Sequence, residues 1–183
     1  MARFKVLNPD EVTGKTKELF DMVKSKMGRV PNVMRTMGNS AAVLNGYLSF
    51  NAALNSSSIG SKLGELIALT VANENGCDYC DAAHMYVSNK MGLDATAINN
   101  ARRGTSADPK INTALGFVKD ILENRGHVSN ASISAIKSAG YSDAEIIEIV
   151  AKTSLYIFTN YLNIVAETDI DWPVPEPIQN NNL

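Results

Sequence analysis

The stretch that organises the chain runs from Glu65 to His84 and reads ELIALTVANENGCDYCDAAH. It carries both cysteines and one of the two histidines of the 183-residue protein. Its first half is apolar almost all round, which predicts a buried helix from Ser61 to Asn73. Gly76 breaks that helix, and a second one is expected from Cys77 to Met91, closed by Gly92. On this second helix, steps of three and four residues put Cys77, Cys80 and His84 on one face. Two thiols and an imidazole at that spacing can do redox chemistry, bind a metal or simply pack.

Helix starts and stops alternate outward from this stretch in both directions. Asn8-Pro9-Asp10-Glu11 reads as a helix start, with acids near the positive end of the dipole, and Gly28 as its end. A short helix over Val33–Met37 follows Pro31. Ser40 caps a helix from Ala41 to Leu54. Beyond the cysteines, Asp94, Asp108-Pro109 and Ser129 each open a helix. Ser142 with Glu145 forms a capping box for a last helix reaching Glu167. No segment shows the alternation of a strand. The expected fold is all-α, with about eight helices in one domain spanning residues 1–183. Ser61–Val71 and Ser142–Ser154 share a start signal and an apolar run, a weak internal echo.

Prolines at 173, 175 and 177 forbid a helix and predict an extended C-terminal arm from about Asp171. Trp172 at its root is suited to dock on the body.

Composition narrows the function. The chain is 45% hydrophobic and 20% charged, enough for a real core. Its net charge is -2 and its pI about 5.7, with no basic stripe, so nucleic acid is not expected as a partner. The first residues do not read as a secretory signal. The longest apolar segment, Ile146–Val165, is interrupted by Glu148, Lys152, Asn160 and Asn163, so no membrane span is expected. Two cysteines are too few for a disulfide framework, and their close spacing points to redox or metal use in a reducing compartment. The expected location is cytoplasmic. No glycine-rich nucleotide loop is present, so no nicotinamide or flavin site, and no other cofactor, is expected.

Thiolates are favoured at a helix N-terminus and beside an imidazole. Cys77, Cys80 and His84 therefore have the parts of a thiol peroxidase. One thiolate attacks peroxide, becomes a sulfenic acid and is trapped by the other. Glu65 is the one acid between Gly60 and Asn73, with Leu66, Ile67, Ala68, Leu69 and Ala72 around it. A carboxyl so placed is desolvated and suited to pass protons near neutral pH; the plainer reading pairs it with Lys62 at the helix start. Zinc has only three candidate ligands here, where structural sites use four, and His127 lies far off in a loop. Inert buried thiols stand beside these readings. Asn160 and Asn163, three apart on the last helix, face the cysteine helix, a subunit boundary or helix-end backbone. Phe50, Met85, Tyr86 and Met91 are better explained by core packing than by a substrate pocket.

Glu65, eleven residues, Cys77-Asp78-Tyr79-Cys80, three residues, His84: this pattern resembles the signature of the alkylhydroperoxidase D family in the carboxymuconolactone decarboxylase superfamily. LNPDEV, GRVPNVMRTM and FTNYLNIVAETDIDWP look like its peroxidase-related branch. The resemblance implies an all-helical fold assembled as a homo-oligomer, a trimer or hexamer, acting as a dithiol peroxidase on hydroperoxides. Cys80 would attack, Cys77 would resolve, and His84 and Glu65 would relay protons, Glu65 through water. The resulting disulfide would need an external dithiol reductant. Tyr79 stands where better-characterised members carry a histidine. A phenol, with an ordinary pKa of about 10, does not shuttle protons near neutrality, although it can orient water. A thiol–disulfide switch or oxidoreductase without peroxidase activity is the alternative. The decarboxylase branch lacks the cysteine pair, so its activity is not implied.

Overall fold

The structure, a computed structural model, describes residues 2–174. Among these there are nine helices and no strand: α1 Gly14–Met27, α2 Asn32–Met37, α3 Ala41–Leu54, α4 Gly60–Glu74, α5 Asp78–Lys90, α6 Ala95–Arg102, α7 Pro109–Glu123, α8 Asn130–Ser138 and α9 Asp143–Ala166.

Most boundaries follow the caps in the sequence. Ser40, Asp94, Asp108, Ser129 and Ser142 each accept a backbone N–H in the first turn of the helix they precede. Ser142 and Glu145 close a reciprocal capping box. The start of α1 is a correction. The Asn8 side chain accepts from Asp10 N at 3.2 Å and donates to Glu11 at 2.9 Å, closing a local turn, so the helix begins six residues later at Gly14.

α4 is the axis of the fold. Leu66, Ile67, Ala68, Leu69, Val71 and Ala72 are each nearly or wholly buried, against α5, α6, α7 and α9. Fully burying one such aliphatic side chain contributes about 1.5–3 kcal/mol, which makes α4 the element the rest assembles on. Thr70 fits this interior because its hydroxyl donates within 2.8 Å to Ala101 O of α6. The apolar faces of α4 are thus covered by the chain's own helices. α9 is different: Ile147, Tyr161 and Val165 are more than half exposed.

A second apolar cluster joins α1, α2 and α3 and takes in Cys77, Tyr79 and Cys80. The cysteines therefore lie at the seam between two packed units, where a cavity can form without hollowing either core. Both ends of the described chain dock there. Arg3 N donates to Ala166 O at 2.8 Å, and Arg35 of α2 donates to Leu7 O at 2.7 Å. At the other end Asp171 and Trp172 lie against Arg29 in the turn after α1, against α2 and against α5. The expected arm beyond Val174, with Pro175 and Pro177, lies outside the described residues.

Candidate active site

Gly76, at φ 65°, turns the chain sharply from α4 into α5. This places Cys77 at the N-cap, where its sulfur accepts from Cys80 N at 3.3 Å. Cys77 and Cys80 are joined as a disulfide, with Cα atoms 5.3 Å apart. Their sulfurs lie at the positive end of α5, which favours thiolates once the bond is reduced.

Cys80 and His84 line one cavity of about 240 Å³, together with Glu65, Tyr79 and Asn163. Its other walls include Tyr47, Tyr156 and Trp172, with Met34 and Val33. Cys77 is not among these residues, so the three side chains placed on one helix face by their spacing divide between two spaces. Cys77 lines a second cleft, behind Tyr79 and Asn163.

Glu65 Oε2 lies 2.8 Å from His84 Nδ1. α4 and α5 run side by side, and the step between these residues brings carboxylate and imidazole together across the seam. Both side chains are about four-fifths buried. Glu65 thus partners His84, and its pairing with Lys62 is not observed. The His84 ring meets Tyr156 edge-on, with centroids 5.1 Å apart, which holds the imidazole from the other side. Burial and the neighbouring Glu65 charge push Tyr47 up to about 12 and Tyr156 well above the ordinary tyrosine value. Both phenols therefore stay neutral. Lys152 is buried on α9 with its Nζ 3.3 Å from Asn55 Oδ1; desolvation pulls its pKa down, against the opposing pull of Glu65.

The Tyr79 hydroxyl is engaged. It accepts from Val33 N at 3.2 Å and donates to Asp171 Oδ1 at 2.7 Å. Burial, and next the Asp171 bond, raise its pKa. The other Asp171 oxygen takes Arg29 at 2.8 Å and Asn32 N at 3.1 Å. The Arg29 guanidinium in turn lies 4.1 Å above the Trp172 ring. Tyr79 therefore ties the cysteine turn to α2 and to the C-terminal segment, and Trp172 closes one side of the cavity.

Asn163 settles its open reading: its Nδ2 donates to Cys80 Sγ at 3.3 Å, while Oδ1 is buried without a protein partner. Asn160 accepts from Asn75 at the end of α4. Phe50, Met85, Tyr86 and Met91 are not among the cavity-lining residues; Met85 packs on the core and Tyr86 on Trp172. His127 is exposed in its loop. Among the described residues no group of three or more His, Cys, Asp or Glu is arranged to hold a metal ion, and no helix is long and apolar enough to cross a membrane. Sequence reasoning missed Tyr47, Tyr156, Lys152 and Asp171. Each comes from an element distant in sequence, and none carries a spacing signal.

Residues 41–120, from α3 into α7, match the carboxymuconolactone decarboxylase family. Over this segment the chain is similar to that family. Several solved structures share its fold over nearly the whole length. A peroxidase-related protein with an alkylhydroperoxidase core from Ralstonia eutropha JMP134 superposes with a TM-score of 0.83 at 18% identity, covering 93% of this chain and 92% of that one. A peroxidase-related protein from Silicibacter sp. TM1040 gives 0.79 at 22% identity, covering 92% and 94%. The debrominase Bmp8, in complex with 2,3,4-tribromopyrrole, gives 0.77 at 18% identity, covering 93% and 94%. No curated protein sequence matches the chain. The fold is thus alkylhydroperoxidase D-like, and it is all-helical over the described residues.

Proposed function

We propose that the protein is a cysteine-dependent peroxidase that reduces organic hydroperoxides or hydrogen peroxide. The observation that carries this is the shared cavity in which Cys80 meets a carboxylate–imidazole pair, Glu65 and His84, 2.8 Å apart. In the reduced protein the Cys80 proton passes to His84, directly or through water. The thiolate attacks the distal peroxide oxygen, the O–O bond breaks, and the leaving alkoxide takes the proton from His84 as the alcohol. Donation of Nδ1–H to Glu65 leaves Nε2 for this exchange and steadies the ring when it is charged. Cys77 then attacks the Cys80 sulfenic acid, water leaves, and the disulfide forms. Tyr79 has no proton-transfer part in this reading, because its hydroxyl is held by Val33 and Asp171.

The apolar walls of the cavity suit an organic group on the peroxide. The implied homo-oligomer is part of the proposal, supported by the exposed Ile147, Tyr161 and Val165 of α9. Purified protein consumes tert-butyl hydroperoxide when a dithiol is supplied, and Cys80→Ser abolishes the reaction. Full activity in that variant would sink the assignment.

A second reading keeps the dithiol and changes the substrate. Tyr47, Tyr156 and Trp172 form aromatic walls, and a similarly folded protein is a debrominase. A brominated heteroaromatic would give its bromine to the Cys80 thiolate; Cys77 would displace bromide to close the disulfide, and a proton would replace bromine on the ring. Bromide release from tribromopyrrole, measured beside hydroperoxide consumption, separates the two.

A further inference from the structure

The two cysteines of the disulfide line different spaces. Cys80 lines the cavity with Glu65 and His84, and Cys77 lines a separate cleft of about 330 Å³ between the start of α5 and the end of α9. Tyr79 and Asn163 line both and stand between them. The Cys77 cleft also includes Gly76, Asp78, Ile164 and Ile170. Asp78 is exposed there without an ion-pair partner among the described residues, and Ile164 and Ile170 present apolar surface.

We propose that this cleft is the entry site for the dithiol that reduces the protein, so that substrate and reductant reach the disulfide from opposite sides. The inference rests on the disulfide-forming reading above. Thiol exchange runs in line with the S–S bond, so a nucleophile reaching Cys77 comes from the side away from Cys80. A cleft that touches Cys77 and not Cys80 meets that need. The leaving group is prepared as well. Asn163 Nδ2 already donates to Cys80 Sγ at 3.3 Å, and α5 directs its positive end toward both sulfurs. Tyr79 holds the partition, since its hydroxyl is fixed at both Val33 and Asp171.

The chemistry balances. One thiolate of the dithiol attacks Cys77 Sγ, the Cys77–Cys80 bond breaks, and Cys80 leaves as a thiolate. The second thiolate of the reductant attacks its own sulfur in the mixed disulfide, forming the oxidised reductant and releasing Cys77. The two protons of the dithiol end on Cys77 and Cys80. Apolar walls and the Asp78 carboxylate favour a dithiol with no negative charge beside its sulfurs, carried by a small molecule or by a protein surface.

The test uses wild-type protein oxidised with diamide, so it needs no peroxide turnover. Cysteamine is added, the reaction is quenched with N-ethylmaleimide, and fragmentation mass spectrometry locates each adduct. Cysteamine on Cys77 and maleimide on Cys80 is the expected pattern. Cysteamine mainly on Cys80, or evenly on both, overturns the assignment while leaving hydroperoxide consumption untouched as evidence on the peroxidase reading. Ile164→Trp narrows the cleft and should slow reduction roughly tenfold, the factor given by ~1.4 kcal/mol of added barrier. Dithiothreitol and a short C-x-x-C peptide are compared, and the faster one identifies the source of the dithiol. An unchanged rate for both in Ile164→Trp also overturns the proposal.

Discussion

Glu65 Oε2 and His84 Nδ1 stand 2.8 Å apart, each on its own helix and each mostly shielded from water. The pair lines one cavity together with Cys80, and Cys77 is not among the residues around that cavity. A carboxylate in this position orients the imidazole and stabilises it when charged. Glu65→Gln keeps the shape and removes the charge. Hydroperoxide kcat/KM should fall about 10²-fold, within the usual range for a general acid–base partner. The rate of disulfide formation with diamide, which needs no such proton transfer to substrate, should change little. Equal losses in both would show that Glu65 only supports the fold.

Asn163 offers a second separation of chemistry from stability. Its Nδ2 donates to Cys80, and its Oδ1 is buried without a protein partner. Asn163→Leu removes a half-satisfied buried amide, so the folded state should be no less stable by urea unfolding. The Cys80 thiolate, however, loses its donor. In a Cys77→Ser background, alkylation by iodoacetamide near pH 7 should slow about tenfold, the effect of a charge-assisted hydrogen bond worth ~1.5 kcal/mol. An unchanged alkylation profile would show that the contact does not act on the reduced sulfur.

These two residues also mark how far the sequence can be read. Ser40, Asp94, Asp108 and Ser142 announce their helices because a cap is a local device, decided within four residues. The apolar run of α4 announces its burial for the same kind of reason. Glu65 stood out as one acid among aliphatic residues, and the five-point spacing to His84 pointed to the family. The start of α1 was misread because Asn8, Asp10 and Glu11 satisfy a turn with the same residue types that open a helix. Tyr156, Tyr47 and Asp171 were illegible because their role is set by tertiary contact. A tyrosine in an apolar helix carries no mark of the histidine it will meet. The division of the two cysteines between separate spaces depends on where Tyr79 and Asn163 fall in three dimensions, which spacing on one helix does not reveal.

The Tyr79–Asp171 bond, 2.7 Å long, predicts a coupling between the cysteine turn and the C-terminal segment. Tyr79→Phe leaves Val33 N–H without its acceptor and one Asp171 oxygen without its donor. The expected loss is about 1–3 kcal/mol of stability, since a buried donor is left unsatisfied. Trp172, the only tryptophan in the chain, reports on the same event. Its emission should shift to the red in Tyr79→Phe as the ring leaves the cavity wall. Hydroperoxide turnover per folded molecule should stay within a few-fold of wild type, because the hydroxyl takes no part in proton transfer in the proposed reaction. A loss as deep as that of Glu65→Gln would instead give the phenol a direct chemical role.

Alkaline pH should uncover the buried phenols. Tyr47 and Tyr141 are pushed up to about 12, and Tyr79 and Tyr156 are also raised, burial being the largest cause for all four. A group whose folded pKa lies above its unfolded value contributes stability that is present below the unfolded pKa, near 10 for a tyrosine, and lost as pH rises through the folded pKa. Lys152 works the other way. Its lowered pKa means that its unfavourable contribution eases as pH climbs toward its ordinary value. Four phenols outweigh one amine, so the urea midpoint should fall between about pH 9 and about pH 11. Phenolate absorbance from Tyr47, Tyr79, Tyr141 and Tyr156 should appear together with unfolding. In Lys152→Met the unfolding midpoint at neutral pH should not fall, and its decline with alkali should be steeper than in wild type, because the opposing amine is gone. A midpoint that stays flat from about pH 9 to about pH 11 in wild type would mean that these phenols ionise in place, without a cost from burial.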